Sequence, residues 1–186
     1  LTVEILPIVN ERDEIIDEID KSIFDKKTGK IYRVVSLILF NENDEFLIQR
    51  RAFSKKTFAG KWQFSASAGH VQIGESYLDA IYRETIEEIG LSLKSSDFIE
   101  VKKVFIHTKE NKRRFMQFFA AKVDFNLEDL AILHNEVAEV KLVNLAEFKE
   151  MIRKNPDDFM DSLEFSLRII KDAQEKIRNN HSQAIL

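Results

Sequence analysis

The stretch from Gly69 to Leu91 reads G-H-V-Q-I-G-E-S-Y-L-D-A-I-Y-R-E-T-I-E-E-I-G-L. A loop opened by one glycine runs into a helical pattern and stops at another. Ser76 is an N-cap residue by type, with Asp79 three positions on as its capping partner. Gly90 stands where a left-handed C-terminal residue belongs. At about 100° per residue, Leu78, Ile81, Tyr82, Thr85, Ile86 and Ile89 share an arc of roughly 140°, the expected core face. Glu84, Glu87 and Glu88 fall in a neighbouring arc of about 100°, and their i,i+3 and i,i+4 spacings point them the same way.

Like charges so placed repel by about 0.2–0.5 kcal/mol per pair. A solvated acidic face is the plain explanation of such a run. A hard divalent cation reverses the sign of the interaction, because Mg²⁺ takes carboxylate oxygens readily. Arg83, one turn before Glu87, is placed to hold that carboxylate. Glu75, ahead of the helix, is placed to reach Arg83 and fix its direction.

Gly69, Glu75, Arg83-Glu84, Glu87-Glu88, Gly90 and Leu91 fall at the spacing G-x5-E-x7-R-E-U-x-E-E-x-G-U, where U is bulky and apolar. The stretch therefore resembles the Nudix box. The departure is Thr85, where that family prefers an aliphatic residue; Thr85 lies on the expected core arc, so the change touches packing rather than chemistry. The resemblance covers roughly Arg33 to Glu150. It implies an α+β fold, a Nudix-type α/β/α sandwich with a mixed β-sheet. It also implies an Mg²⁺-dependent pyrophosphohydrolase, with Mn²⁺ as a substitute ion, acting on a nucleoside diphosphate derivative or another small organic diphosphate. Such a bridge is negatively charged, so its hydrolysis needs charge neutralisation and an activated water. By the same resemblance Glu84, Glu87, Glu88 and the Gly69 carbonyl are metal ligands, and Arg83 and Glu75 orient them. Glu87 or Glu136 is the general base. For Glu136 and Glu139 the alternative is an exposed strand-end charge.

The chain has 186 residues, of which 44% are hydrophobic and 32% charged, with a net charge of −4. That is enough for one domain of ordinary size with a sizeable core. The acidic balance argues against a nucleic-acid polymer or a membrane surface as partner. There is no cysteine, which excludes disulfides, thiolate zinc sites and cysteine nucleophiles. No apolar run approaches the ~20 residues of a membrane helix, and L-T-V-E-I-L-P does not open like a signal peptide. A cytoplasmic location is the default expectation.

Along the chain, Val3 to Val9 is interrupted by Pro7 and reads as an edge strand at best. Glu11 to Ile23 is open between helix and strand, and Thr28-Gly29 marks a turn. Tyr32 to Phe40 is a buried strand, Asn41 to Asp44 a hairpin turn, and Glu45 to Arg50 its return. That hairpin ends in Arg50-Arg51, followed by a basic loop with Lys55, Lys56 and Lys61. Arg50, Arg51 and Lys61, with His70, are candidate contacts for substrate phosphates; a solvated loop is the alternative. Phe98 to His107, Arg113 to Val123 and Glu136 to Val143 read as strands, with Phe115, Phe118 and Phe119 as core rather than a stacking platform. Leu145 to Lys154 is a helix, broken at Asn155-Pro156. Asp158 to about Arg178 is a longer one, and Asn179 to Leu186 a frayed tail. This order gives an α+β sandwich. It divides into a cap or hairpin over 1–30, the Nudix-like domain over 31–154, and a helical extension over 155–186 whose apolar stripe leaves a homodimer open.

Trp62, the S-A-G-H of Ser67 to His70 and the following Q-I-G-E-S narrow the resemblance to the branch related to isopentenyl diphosphate isomerase. The isomerase carries a catalytic cysteine just before its Gly-His and gathers several histidines round a metal. Here Ala68 stands at the cysteine position. The histidines are His70, His107, His134 and His181, none in the N-terminal third, where the isomerase places two. His70 keeps one ligand position, and as a lone histidine it reads as structural or substrate-facing. Isomerase activity is not expected. A binding module that holds a nucleotide without turnover is the alternative to a hydrolase, although such degenerate members usually lose box carboxylates.

Overall fold

A computed structural model describes residues 3–183. The strands are β1 (Ile5–Val9), β2 (Ile15–Asp20), β3 (Ile31–Phe40), β4 (Phe46–Arg51), β5 (Trp62–Gln63), β6 (Ser67–His70), β7 (Ile99–His107), β8 (Arg113–Lys122) and β9 (Val137–Val143). The helices are α1 (Tyr77–Ile89), α2 (Leu145–Lys154) and α3 (Leu163–Gln183).

Strand β3 organises the sheet. Along one edge it meets β1 at Ile31, β6 from Val34 to Leu37 and β4 at Phe40, all antiparallel; along the other it runs parallel to β8 over its whole length. Its nearly continuous apolar character follows from cover on both faces. Ile38 and Phe40 enter a core with Phe46, Phe118, Phe148 and Ile169. Val35, Leu37 and Leu39 enter another with Ile81, Ile89 and Phe119. α1 thus covers one face, and α2 and α3 the other. The result is the expected α+β sandwich round a mixed sheet.

At the N-terminal end one expectation is corrected and one open reading is settled. β1 is not an edge strand: it lies between β2 and β3, with Leu6, Ile8 and Val9 buried. Pro7 is tolerated because β1 pairs with β3 only at Val9, so the missing amide is not needed there. Glu11 to Ile23 resolves into a turn and the true edge strand, β2.

At the C-terminal end the long helix starts later than the pattern implied. Pro156–Asp158 forms a 3₁₀ turn, and the Met160 amide then donates to the Trp62 carbonyl at 2.9 Å, which pulls the chain onto β5. α3 begins after Ser162, whose hydroxyl accepts from the Phe165 amide at 3.3 Å. It continues through Gln183 rather than fraying from Asn179; residues 184–186 of the expected tail lie outside the described residues. Its stripe of Ile169, Ile170, Ala173 and Ile177 packs into the chain's own core, so it is not a face left over for a second copy. Among the described residues no helix is long and apolar enough to cross a membrane.

Candidate active site

The box helix is built by the local signals read from its sequence. Ser76 and Asp79 form a reciprocal capping box, and Gly90 closes α1 at φ +68° with its amide bonded to the Ile86 carbonyl. A side chain at Gly90 would also strike Ala131.

The buried face, however, is rotated from the expected one. Tyr82 and Ile86 are exposed, whereas Ala80, Glu84 and Glu88 are buried with Ile81, Thr85 and Ile89. On a wheel of about 100° per residue this turns the core face by roughly 80°, and Glu88 falls near its centre. The physical reason is a set of polar partners across the sheet. Gln49 Nε2 donates to Glu88 Oε2 at 2.9 Å, and the Ala68 amide donates to the same oxygen at 3.1 Å. Thr85, the departure from the box pattern, bonds the Ile81 carbonyl at 2.6 Å and meets the Ser67 hydroxyl at 3.1 Å. A hydroxyl suits this position because β6 offers one opposite.

Gly69 is shaped to Glu84. A Cβ built on it would lie 1.9 Å from the Glu84 carboxylate, so only glycine lets strand and carboxylate approach this closely. Arg83 ties the outer half of the site together. Its Nε and Nη2 grip Glu75 at 2.7 and 3.0 Å, Nη1 reaches Glu84 at 2.7 Å and Glu87 at 3.1 Å, and Nη2 also donates to the His70 carbonyl at 2.9 Å. The reach of Glu75 to Arg83, and of Arg83 to Glu87, is as the spacing implied.

The electrostatics follow from this burial. Glu88 is 5% exposed; its carboxyl is pushed up to about 8, by burial first, with Glu84 and Glu136 adding like charge against the two hydrogen bonds it receives. Burial likewise raises Glu84, and Arg83 only partly offsets it. Glu75 goes the other way: burial is outweighed by Arg83 and the Gln72 amide, and its carboxyl is held low. Glu87 keeps half of its side chain in solvent. Among the described residues no group of three or more His, Asp or Glu side chains stands ready round one point to hold an ion; the three box glutamates are divided between Arg83 and Gln49. Their chemistry nevertheless fits a hard divalent cation: oxygen donors only, two of them withdrawn from water, one cradled on a glycine.

The remaining candidates are placed unevenly. Glu136 precedes β9, pairs with Lys55 and lies within the field of Glu88. Glu139 faces Arg50 at 3.7 Å. Arg50 braces its own loop, with Nε on the Gly60 carbonyl at 2.9 Å and its guanidinium over Phe53 and Trp62. Lys61 bonds the Asp157 carbonyl. Neither Arg50 nor Lys61 is brought to the box. Arg51 donates to the Thr57 carbonyl at 3.3 Å and lies within the field of Lys26.

Residues 30–163 match the profile of the NUDIX domain. The chain belongs to the Nudix family. Its enzyme class is that of a Nudix pyrophosphohydrolase. A Photorhabdus laumondii protein, isopentenyl-diphosphate Delta-isomerase 2, is 29% identical over 157 residues, which is 83% of this chain and 85% of its own. A prenyl-diphosphate phosphatase from Methanosarcina mazei is 28% identical over 153 residues, 80% of this chain and 86% of its own. A crystal structure of a Deinococcus radiodurans protein superposes with a TM-score of 0.70 at 21% identity, over 90% of this chain and 98% of the other. That likeness speaks for the Nudix fold alone.

Two residues that brace this region carry little or no signal in the sequence. Gln49 left a trace, a polar residue at an inward position of an otherwise apolar strand. Asp13 left none. It sits in the β1–β2 turn at φ +66° and accepts from Arg33 Nε at 2.7 Å, Lys103 Nζ at 2.6 Å and the Tyr77 hydroxyl at 3.0 Å. That cluster clamps the N-terminal hairpin to β3, β7 and the first turn of α1.

Proposed function

We propose that this Nudix protein is an Mg²⁺-dependent hydrolase that cuts the diphosphate linkage of a small organic diphosphate, with Mn²⁺ able to serve in place of Mg²⁺. The observation that carries this reading is the pair Glu84 and Glu88. Two carboxylates occupy the buried side of an amphipathic helix, where apolar residues would serve stability better. Arg83 grips Glu84, but among the described residues no cation pairs with Glu88. Such a charge distribution is costly for the bare fold and suited to an added cation.

A bound divalent ion would neutralise phosphoryl oxygens and lower the pKa of a water. Glu84, Glu87, Glu88 and the Gly69 carbonyl are the ligands we assign to it. Glu75 and Arg83 orient Glu84 and Glu87, and Gln49 with the Ala68 amide fixes the rotamer of Glu88. Glu136, held by Lys55 within the field of Glu88, is the residue we assign to accept the proton of the attacking water; Glu87 is the other candidate. Arg51 and His70 remain candidate substrate contacts, whereas Arg50 and Lys61 hold the loop that frames them.

The two relatives described above both carry an organic diphosphate in their names, which supports this substrate class. An isomerase reaction finds no support in the residues, since Ala68 and its neighbours offer no thiol. The test is turnover of a panel of nucleoside and non-nucleoside diphosphates with Mg²⁺, Mn²⁺ or chelator, comparing wild type with Glu88→Gln. Release of phosphate or monophosphate that needs metal and falls by orders of magnitude in the folded variant is expected. Undiminished turnover in Glu88→Gln, or none by folded wild type on any compound, would sink the reading.

A further inference from the structure

On the opposite face of the sheet from the box carboxylates the fold gathers cations. Gly69 turns its Cα toward Glu84, so its neighbour His70 points to the other side. His70 is the register partner of Val34 in β3, and Arg114 is the register partner of Tyr32. Tyr32 and Val34 are two residues apart, so Tyr32, His70 and Arg114 share that other face. Lys26, from the turn before β3, lays its Nζ 5.3 Å from the centre of the Tyr32 ring. The Tyr32 and His70 rings are 5.6 Å apart.

Two of these cations lack a partner in ion-pair contact. Lys21 pairs with Glu4 and Lys112 with Glu110, but among the described residues neither Lys26 nor Arg114 makes an ion pair. Asp161 lies within the field of Arg114 without touching it, and burial raises its carboxyl. Lys26 is half-buried, and burial together with the charges of Arg114, Lys21, Arg51 and Lys112 brings its ammonium down to about 8. The His70 Nε2 atom is shut off from solvent and has no hydrogen-bond partner. Unpaired like charges in a partly dry site are costly, and an arriving anion removes that cost.

We propose that Lys26, Arg114 and His70 form a second anion site, which binds a phosphate-class group of the substrate other than the diphosphate linkage that is cut. The two sites adjoin. Arg83 bonds both the His70 carbonyl and the box glutamates, and Lys21 lies within the field of both Glu84 and Lys26. A hydrocarbon tail laid here would bury the two unpaired cations under apolar surface. The site therefore selects an organic diphosphate that carries a further phosphate over one that ends in a plain prenyl chain. The word substrate rests on the hydrolase reading above; the anion site itself does not.

The experiment is titration of the full chain with inorganic phosphate in chelator, at constant ionic strength against chloride, read by calorimetry and melting temperature. Wild type is compared with Lys26→Met, Arg114→Met and, as a charge control on the exposed neighbour, Lys27→Met. Methionine keeps the apolar stem and relieves repulsion, so the first two variants should melt no lower than wild type. Each should weaken phosphate binding about 10-fold, as expected for one charge-assisted contact, while Lys27→Met leaves it unchanged. Glu88→Gln should bind phosphate as wild type does, so loss of hydrolysis and loss of the anion site are told apart. No binding above chloride, or binding untouched by both Lys26→Met and Arg114→Met, overturns the proposal. A companion measurement compares coenzyme A with dephospho-coenzyme A, which differ by one phosphate; tighter binding of the former that vanishes in Arg114→Met supports the assignment.

Discussion

Glu88→Gln has a consequence for stability that needs no substrate to observe. In the metal-free protein the Glu88 carboxyl titrates near 8, against an ordinary value of 4.5, because burial outweighs the donors Gln49 and Ala68. Between those values the folded chain keeps a proton that the unfolded chain releases. Stability contributed by this group is therefore full at low pH and falls as pH rises through that window. The span corresponds to about 5 kcal/mol, or about 10–20 °C of melting temperature for a chain of this length. Glutamine cannot ionise. Its carbonyl oxygen can still accept from Gln49 and Ala68, while its amide protons lack a partner, a cost of about 1–3 kcal/mol that does not vary with pH. Melts in chelator from about pH 5 to pH 9 should thus show the variant at or below wild type at the acid end. At the alkaline end it should have gained most of that span relative to wild type. Millimolar Mg²⁺ at the alkaline end should then raise wild type and leave the variant where it was, by mass action on the folded state. A difference between the two proteins that stays flat with pH would refute the claim that Glu88 is held, buried and cation-poor, inside the fold.

The other predictions concern the supports of the site. Gly69→Ala places a methyl where the Glu84 carboxylate lies, 1.9 Å away; the side chain must swing out, so turnover should collapse while melting falls by only a few degrees. Asp13→Ala removes the acceptor shared by Arg33, Lys103 and Tyr77 and should cost about 2–4 kcal/mol. Burial opposes ionisation of Asp13 but those three donors hold its carboxyl low, so its contribution should be full at neutral pH and fade only as pH drops below the ordinary Asp range; denaturant melts of variant and wild type that converge at neutral rather than acid pH would contradict this. Thr85→Val leaves the Ser67 hydroxyl without its partner and should cost about 1 kcal/mol, most of it recovered in the Thr85→Val, Ser67→Ala double variant; additive losses in that cycle would show that the two hydroxyls do not interact.

What the sequence determined by itself was the local part of the protein. Caps and a left-handed glycine bounded α1, and the i,i+4 reach of Arg83 to Glu87 followed from helix geometry. Nearly continuous apolar runs named the central strands, and the box spacing named the family. These are contacts within one turn or one hairpin, where the chain's own periodicity does the placing. Which face of α1 is buried was decided elsewhere, because Gln49, 39 residues from Glu88, supplies the donor that lets a carboxylate turn inward; hydrophobic periodicity alone turned the helix toward Tyr82 and Ile86. The interior place of β1 was likewise a matter of what lay beside it. So was the meeting of Lys26, His70 and Arg114. Only the parallel pairing of β3 with β8 sets Arg114 beside Tyr32, and a register between strands so far apart in sequence is fixed by the two cores packed against the sheet, not by any pattern within either strand.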